Sequence, residues 1–434
     1  MYLSNTEGIG GIIKNKAENF IVEEITQNGN LLEIDRKYKN DELNYESSKN
    51  GKFAIFILQK KNWNTIQALK VIARKFKRGI KSMGFAGTKD RTSISTQLCS
   101  FYGIKEEQLP SLESIKIRDI SINGAWLGDK KIELGDLQGN RFTITIEPSE
   151  NIDSNNENRD FSTIKNKIES INKELNGVFP NYFGSQRFGS RSNNVKIGID
   201  ILKGDFEDAA ITFLTDTTNE HNEEAIDARK KLKAEMDFKQ ALQYFPKYLK
   251  YERLVLEHLS NISNDYAGAL RRLPRNILLM FTHSVSSYIF NTELDYRIEH
   301  KMFEPLEDDL ICYENELGFP DMNHIIKYKE IEEQSNKDKD KDKFFIVGNI
   351  VGYEMELNSV EKRIMDELKI DKEDFKVKSM PELKNKGSSR LLFAPYLNFN
   401  YNVENNKTTM RFSLLSGSYA TVLLDEFMKN KNNK

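Results

Sequence analysis

The 434-residue chain is long enough for two or three domains with sizeable cores. Its 38% hydrophobic and 30% charged residues exclude bulk disorder. No run has the apolar length of a membrane span, and the N-terminal stretch lacks the apolar core of a signal peptide. Two cysteines, Cys99 and Cys312, are too few for a disulfide framework or a cysteine-based metal site. We therefore expect a cytoplasmic protein with no membrane partner.

The net charge of −2 argues, taken alone, against a nucleic-acid binder. The charge is unevenly distributed, however, because ten Lys or Arg residues between Lys60 and Arg91 accompany a single acid, Asp90. Acidic stretches such as 220–227 and 304–310 balance this run. A basic stripe on a near-neutral chain is typical of a selective RNA or DNA binder. A lysine-rich helix face in solvent is an equally good interpretation of the run.

The first 150 residues are predicted to form mostly strands. Residues 19–25 and 53–58 are rich in strand formers. From Thr65 to Arg78, apolar residues recur at helical spacing, and Asn64 is placed to cap that helix. Residues 141–147 alternate in polarity, so one face of a half-buried strand would carry Phe142, Ile144 and Ile146.

The rest of the chain begins with helical sequence. It extends through most of 161–300 and is interrupted at 181–190, which contains glycines. The low-complexity segment 336–343 is predicted to be a solvated loop, and strand-like sequence returns at 344–353. Residues 410–428 indicate a strand, a tight turn and a helix. The pattern favours an α/β domain formed from both chain ends, with a large α-rich segment inserted between them.

Few residues in the sequence point to chemistry. There is no phosphate-binding loop, no nucleophile elbow and no pair of histidines at metal-ligand spacing, so we predict neither a metal nor a cofactor. Asp90 stands out because it lies within the basic run, in GFAGTKDRTSISTQ at 84–97. Cationic neighbours hold a carboxylate ionised, and an ionised carboxylate can act as nucleophile or general base. A helix cap or salt bridge is the alternative that residue type and position alone favour.

The segment 84–97 resembles the signature of the TruD family of pseudouridine synthases, in the larger form found in archaea and eukaryotes. That signature is a glycine–aromatic–alanine–glycine loop, a Lys-Asp pair and a downstream Thr-x-Gln. Here the loop is Gly84–Gly87 and the pair is Lys89-Asp90, and the match ends at the adjacent Thr96 and Gln97. A second segment, 12–25, resembles the family's N-terminal element, although Ala17 and Asn19 replace the usual proline and aspartate there. The similarity extends from residue 8 to 428, and four further segments resemble family elements in the family's order: 12–25, 135–144, 181–189 and 414–427.

The resemblance implies an α+β fold with a mixed, mainly antiparallel catalytic sheet. Residues 1–181 and 393–434 would form this pseudouridine synthase domain, and residues 182–392 an inserted α/β TRUD domain. Family members detach uracil from C1′ of a uridine in RNA, turn it and rejoin it through C5, without a cofactor. The implied substrate is uridine 13 of tRNA, and we expect the protein to be a monomer. The same chemistry on another RNA position, or a non-catalytic RNA-binding protein on this scaffold, remain alternatives.

The resemblance assigns the roles of family residues to individual positions of this sequence. Asp90 would be the catalytic carboxylate and Lys14 its charge partner. Tyr419 stands where the family usually has a phenylalanine, and Arg187 is a candidate for a phosphate contact. Each role has a plain alternative: Lys14 could be a strand-flanking lysine and Phe20 a core aromatic. Asn140 could be a turn residue and Arg187 an ordinary surface arginine. The resemblance thus predicts substrate contacts for Phe20, Lys89, Asn140, Arg187 and Tyr419.

Overall fold

The computed structural model of the protein describes residues 1–13, 16–45, 47–148, 161–330 and 343–430. The strands are β1 Phe20–Thr26, β2 Phe53–Lys61, β3 Met83–Phe85, β4 Ile94–Tyr102, β5 Ile120–Gly128, β6 Leu137–Ile146, β7 Val178–Pro180, β8 Leu310–Glu314, β9 Pro320–Lys327, β10 Phe344–Ile350, β11 Ser388–Leu391, β12 Phe393–Glu404 and β13 Lys407–Leu415. The α-helices are α1 Thr65–Lys75, α2 Leu109–Glu113, α3 Phe161–Leu175, α4 Asn194–Lys203, α5 Phe206–Thr215, α6 Glu223–Glu235, α7 Phe238–Tyr244, α8 Lys250–Asn261, α9 Tyr266–Leu270, α10 Arg275–Glu299, α11 Ser359–Leu368 and α12 Ala420–Met428.

The chain divides into two compact units. We call one the sheet unit, which contains residues 2–180, 314–320 and 394–434. We call the other the helical unit, which contains Met1 and residues 181–313 and 321–393.

The sheet unit is built on a sheet with the strand order β5-β2-β4-β1-β6-β13-β12-β7, and β3 pairs with β4 beside this path. Strands β1 and β4 are parallel. Antiparallel pairing joins β2 to β4 and β5, β6 to β1 and β13, and β13 to β12. The sheet is therefore mixed, mainly antiparallel and formed from both chain ends, which confirms the predicted fold class.

One face of this sheet is covered by α1, and we call it the α1 face. Ala54, Phe56 and Leu58 of β2 and Cys99 of β4 pack there with Leu69 of α1. The opposite face of β2 carries Ile55 and Ile57, which pack against Leu32, Tyr38 and Leu43. Because side chains alternate between the faces of a strand, Lys60 and Gln97 also belong to the α1 face.

Helix α1 begins as predicted and ends earlier. The side chain of Asn64 accepts a hydrogen bond from the backbone N–H of Gln67 at 2.8 Å, so the predicted cap is confirmed. The helix stops at Lys75 instead of Arg78 because Lys77 adopts a left-handed conformation, with φ of 55°. The N–H of Arg78 then bonds back to the carbonyl of Ala73 at 2.9 Å, which closes the helix end.

The helical unit combines α4–α11 with a second sheet of order β11-β10-β8-β9. Its core includes Ile197 and Ile201 of α4, which pack with Val285 and Ile289 of α10. The predicted helical stretch, its interruption before α4 and the strand at 344–350 are confirmed, as is the strand–turn–helix of β13 and α12. Most of the low-complexity segment lies outside the described residues. Within the described ranges, no helix has the length and apolar character needed to cross a membrane.

Candidate active site

The α1 face carries a row of polar side chains, one from each of four adjacent strands. They are Lys60 of β2, Gln97 of β4, Glu24 of β1 and Asn140 of β6, in the spatial order of the strands. Val22 is in register with Ser95, which places Glu24, two residues further, on the same face as Gln97. Asn140 is the cross-strand partner of Glu24. The loop that contains Lys89 and Asp90 lies over this row, as its contacts show.

Lys89 is held by its side chain and by its backbone. Its Nζ forms an ion pair with Glu24 Oε2 at 2.8 Å and donates a hydrogen bond to Asn140 Oδ1 at 2.7 Å. The ion pair is buried, since the side chain of Lys89 is 4% exposed and that of Glu24 is 0% exposed. Glu24 Oε1 also accepts the N–H of Leu98 at 2.9 Å, and the N–H of Lys89 donates to Thr65 Oγ1 at 2.9 Å. The buried charge is thus paired and hydrogen-bonded, as its burial requires.

The backbone of the loop is fixed on both sides of Thr88. Gln97 Nε2 donates to the carbonyl of Gly87 at 2.9 Å, and Gln97 Oε1 accepts from Thr65 Oγ1 at 2.8 Å. Lys60 Nζ donates to the carbonyl of Asp90 at 3.0 Å. Ser93 Oγ donates to the same carbonyl at 2.7 Å. The loop 87–90 is thus held by the side chains of Glu24, Lys60, Thr65, Gln97 and Asn140, which we call the clamp. Asp90 lies at the end of this clamped loop and is exposed to solvent.

Two glycines of the motifs are required by close packing. A Cβ on Gly84 would lie 2.3 Å from the carbonyl oxygen of Ile132, and one on Gly139 would lie 2.2 Å from that of Leu414. Both distances are shorter than any side chain tolerates. Gly84 lets the strand β3 approach the segment before β6, and Gly139 lets β6 approach β13, so both glycines set the position of the loop and of Asn140.

Burial shifts the acid–base behaviour of two groups near the loop. Burial of the Lys60 ammonium lowers its pKa to about 8; the nearby Lys89 adds to this shift, while Asp90 opposes it. Burial also raises the pKa of the Cys99 thiol well above its usual range, with Glu24 adding to the effect. A thiol held protonated in this way is a poor nucleophile, so Cys99 is a core residue and carries no chemistry here.

The sheet unit contains four further residues that the sequence singled out. Phe20 begins β1 and is 3% exposed; its ring packs edge-to-face on Phe142, with the centroids 6.2 Å apart. Asn140 is half-buried, and Tyr419 directly precedes α12 with 39% of its surface exposed. Lys14, the predicted charge partner of Asp90, lies outside the described residues. The contacts therefore join Lys89 to Asn140, and the pairing of Asp90 with Lys14 stays a prediction.

Arg187 belongs to the helical unit. It lies in a short 3-10 helix, Ser185–Phe188, and its guanidinium is 5.2 Å from the centroid of the Phe183 ring. The pKa of His283 is lowered by burial and, to a smaller extent, by the positive charge of Arg187. The predicted phosphate contact of Arg187 stays a prediction.

The basic run between Lys60 and Arg91 does not form one surface. Lys60 and Lys89 are buried and bind the groups described above. Lys61 pairs with Glu18 at 2.5 Å, and Arg78 donates to the carbonyl of Gly103 at 2.8 Å. The remaining cations are exposed, on α1, the turns after it and the end of the loop: Lys70, Arg74, Lys75, Lys77, Lys81 and Arg91.

A model of the family described as tRNA pseudouridine synthase D (TruD) matches residues 1–427 of the chain. The chain belongs to the TruD family. A probable tRNA pseudouridine synthase D of Methanosarcina acetivorans is 34% identical over 450 residues, which cover 99% of this chain and 95% of that relative. A probable tRNA pseudouridine synthase D of Thermococcus sibiricus is 34% identical over 440 residues, covering 99% and 97%. The predicted family is thus confirmed.

The fold of this chain is also similar to that of a solved structure. The crystal structure of the putative tRNA pseudouridine synthase D from Methanosarcina mazei matches with a TM-score of 0.78 and 30% identity, over 99% of this chain and 96% of that one. Membership in this family supports an isomerase activity and makes tRNA the expected substrate.

Sequence reasoning missed part of the clamp in this TruD family protein. Glu24 and Thr65 were not singled out, and Lys60 was counted only as one cation of the basic run. A signal for Glu24 was present, because Phe20, Val22 and Glu24 alternate along β1 and a carboxylate therefore falls on the inward face. Such a position is unusual for an acid unless it is paired. The sequence carries no such signal for Lys60, because only the tertiary fold brings it to the carbonyl groups of Lys89 and Asp90.

Proposed function

We propose that this TruD family protein is a tRNA pseudouridine synthase that isomerises uridine 13 of tRNA, with Asp90 as the essential carboxylate. The observation that carries the proposal is the clamped loop. Its backbone is fixed at Gly87, Lys89 and Asp90 by buried side chains, while the Asp90 residue itself remains exposed. A fixed backbone that presents one exposed carboxylate suits a reaction that requires close orientation of reacting groups.

The isomerisation breaks the N1–C1′ bond, forms a C5–C1′ bond and moves one proton from C5 to N1. A uridine inside a folded RNA must leave its stack to reach a protein carboxylate. Asp90 acts as nucleophile or general base in this sequence. Lys14, which precedes the described segment beginning at residue 16, is its proposed charge partner.

Asn140 is proposed to bind the uracil through its amide nitrogen. Its Oδ1 accepts a hydrogen bond from Lys89, so the amide is oriented with Nδ2 as the group left to donate. A uracil carbonyl is a suitable acceptor for it. Because the side chain of Lys89 is only 4% exposed, Lys89 contributes to substrate binding through Asn140 rather than by direct contact.

Aromatic and cationic residues are proposed to make further contacts with the RNA. Tyr419 offers an exposed ring on which a flipped base can stack. Phe20 is buried against Phe142, and its predicted contact with the substrate stays a prediction. Arg187 of the helical unit and the exposed cations of α1 are proposed to contact the phosphate backbone.

Mapping of pseudouridine in a tRNA transcript incubated with the purified protein tests this proposal. We expect one modified position, uridine 13, without any added cofactor. Modification at another position, or of another RNA in preference, would disprove the assignment of uridine 13 and leave the chemistry intact. RNA binding without any pseudouridine would identify the chain as a non-catalytic RNA-binding protein.

A further inference from the structure

Lys60 is a fully buried lysine beside the proposed active site, and the proposed chemistry does not use it directly. Its relative exposure is 0%, whereas the next residue, Lys61, is partly exposed and pairs with Glu18. The two lysines point to opposite faces of β2 because side chains alternate along a strand. Burying an ammonium group is costly unless strong acceptors surround it. A buried lysine at this position therefore needs a structural or functional explanation.

The contacts of Lys60 are with the backbone of the loop. Its Nζ donates to the carbonyl of Asp90 at 3.0 Å and to that of Lys89 at 3.4 Å. A hydrogen bond from a charged donor is roughly twice as strong as one between neutral groups. One side chain thus fixes two consecutive carbonyl oxygens, and the peptide unit between them determines where the Asp90 side chain leaves the backbone.

We propose that Lys60 is a positioning residue for the isomerisation: by binding the carbonyl oxygens of Lys89 and Asp90, it fixes the backbone that presents the Asp90 carboxylate to the uridine. This inference rests on the proposed function. Lys60 touches neither substrate nor reacting atoms, so it acts only through the loop. Its charge also acts on the groups that face it, which are Lys89 and Asp90 in the loop and Cys99 on β4.

The positioning role predicts a distinctive pH dependence. Burial lowers the pKa of Lys60 to about 8, so the ammonium is charged at pH 7 and mostly neutral at pH 9. A neutral amine binds the two carbonyl oxygens less strongly than an ammonium does. The contribution of Lys60 to the rate should therefore be present at pH 7 and decline as the pH rises through about 8.

The test compares wild-type protein, Lys60→Met and Lys61→Met in single-turnover reactions with a tRNA transcript. Methionine has nearly the length of lysine and lacks the donor, and Lys61 is the matched control on the same strand. We expect Lys60→Met to lower the rate by about ten- to a hundred-fold, as a misplaced catalytic group does, with the Kd for tRNA within three-fold. Lys61→Met should stay within about two-fold of wild type, the scale expected for an exposed residue with a weak ion pair.

A second measurement separates positioning from general support of the fold. The ratio of wild-type to Lys60→Met rates should shrink between pH 7 and pH 9, and this ratio cancels titrations common to both proteins. If Lys60→Met does not fold, Lys60→Gln replaces it in the same comparison.

Three results would overturn the inference. They are a Lys60→Met rate within two-fold of wild type, a rate ratio that does not change with pH, and the failure of both variants to fold. A wild-type protein that forms no pseudouridine would instead overturn the proposed function, and this is seen before any variant is compared.

Discussion

The sheet unit and the helical unit each bury a cluster of charged side chains, and the two clusters differ in what lies next to them. In the sheet unit, the buried pair of Glu24 and Lys89 is one residue away from the exposed Asp90. In the helical unit, Arg297 binds Glu293 at 3.0 Å and Asp309 at 2.5 Å, and all three side chains are 0% exposed.

The helical cluster connects several elements of its unit. Asn358, the cap of α11, donates through Nδ2 to Glu293 at 2.9 Å and to Asp309 at 3.2 Å. Glu361 accepts from Asn349 of β10 and from the N–H of Asn358. Helices α10 and α11, strand β10 and the loop before β8 are thereby held together.

The comparison teaches that buried charge alone does not identify an active site. Both clusters are paired, hydrogen-bonded and shielded from water, as any buried charge has to be. The sheet cluster differs because it ends at an exposed group that can react. We therefore expect removal of the exposed Asp90 carboxylate to alter the rate with little loss of stability, and changes in the helical cluster to do the opposite.

The largest effect should come from Asp90→Asn. The variant keeps the shape of the side chain and removes the nucleophile or base, so the single-turnover rate should fall by about a thousand-fold or more. The Kd for tRNA should stay within a few-fold, because the loop contacts use the backbone of Asp90. Asp129→Asn, on the exposed turn after β5, is the matched control. Retention of a tenth or more of the wild-type rate would refute the role of Asp90.

Arg297→Met should have the largest effect on stability. Removing the cation leaves Glu293 and Asp309 buried without their partner, which costs about 3–5 kcal/mol of the free energy of unfolding. The rate per folded molecule should remain within two-fold of wild type. Arg363→Met removes an exposed pair with Glu367 on α11 and should cost less than about 1 kcal/mol. Urea unfolding followed by fluorescence measures both, and a loss below 1 kcal/mol in Arg297→Met would contradict this account.

The two clusters also show what the sequence could and could not predict. Periodicity identified α1, β6 and the β13–α12 turn because these patterns are local, and the family motif identified Asp90. The clamp was not predictable, because Glu24, Lys60 and Asn140 become neighbours only through the strand order β2-β4-β1-β6. In particular, β1 and β4 are parallel, and no local pattern encodes that pairing.

The helical cluster was missed for a related reason. Glu293 and Arg297 are four residues apart, a spacing that is also common for solvent-exposed pairs on helices. Their burial depends on Asp309 and Asn358, which are remote in sequence. The spacing of Glu293 and Arg297 therefore does not show that the pair is buried, and it does not identify Asp309 and Asn358 as partners.

Glu361 should make the stability of the helical unit depend on pH. Burial, with the nearby Glu293 adding to it, raises the pKa of Glu361 to about 8. The folded state therefore favours the protonated form, and this contribution is complete below the ordinary pKa of 4.5 and lost as the pH rises through about 8. The Tm of the wild-type protein should fall by roughly 5 °C between pH 6 and pH 9, at about 2–4 °C per kcal/mol.

The control for this pH dependence lies on the same helix. In Glu361→Gln the fall in Tm over this pH range should be clearly smaller, whereas Glu367→Gln, at an exposed site on α11, should keep the wild-type slope. Calorimetric scans at several pH values measure it. Equal slopes for wild type and Glu361→Gln would show that this carboxyl group does not titrate with folding.

The smallest effect is expected at Tyr419, where substitutions test whether the active site includes residues outside the clamp. A flipped uracil loses its stacking neighbours, and an exposed ring can replace part of that energy, about 1–3 kcal/mol per base. Tyr419→Leu should therefore lower the single-turnover rate by roughly ten-fold, while Tyr419→Phe should be nearly silent. Tyr102→Leu, at an exposed tyrosine on β4, is the control. If the hydroxyl instead transfers a proton, Tyr419→Phe itself should slow the reaction by about a hundred-fold, and the stacking role would be wrong.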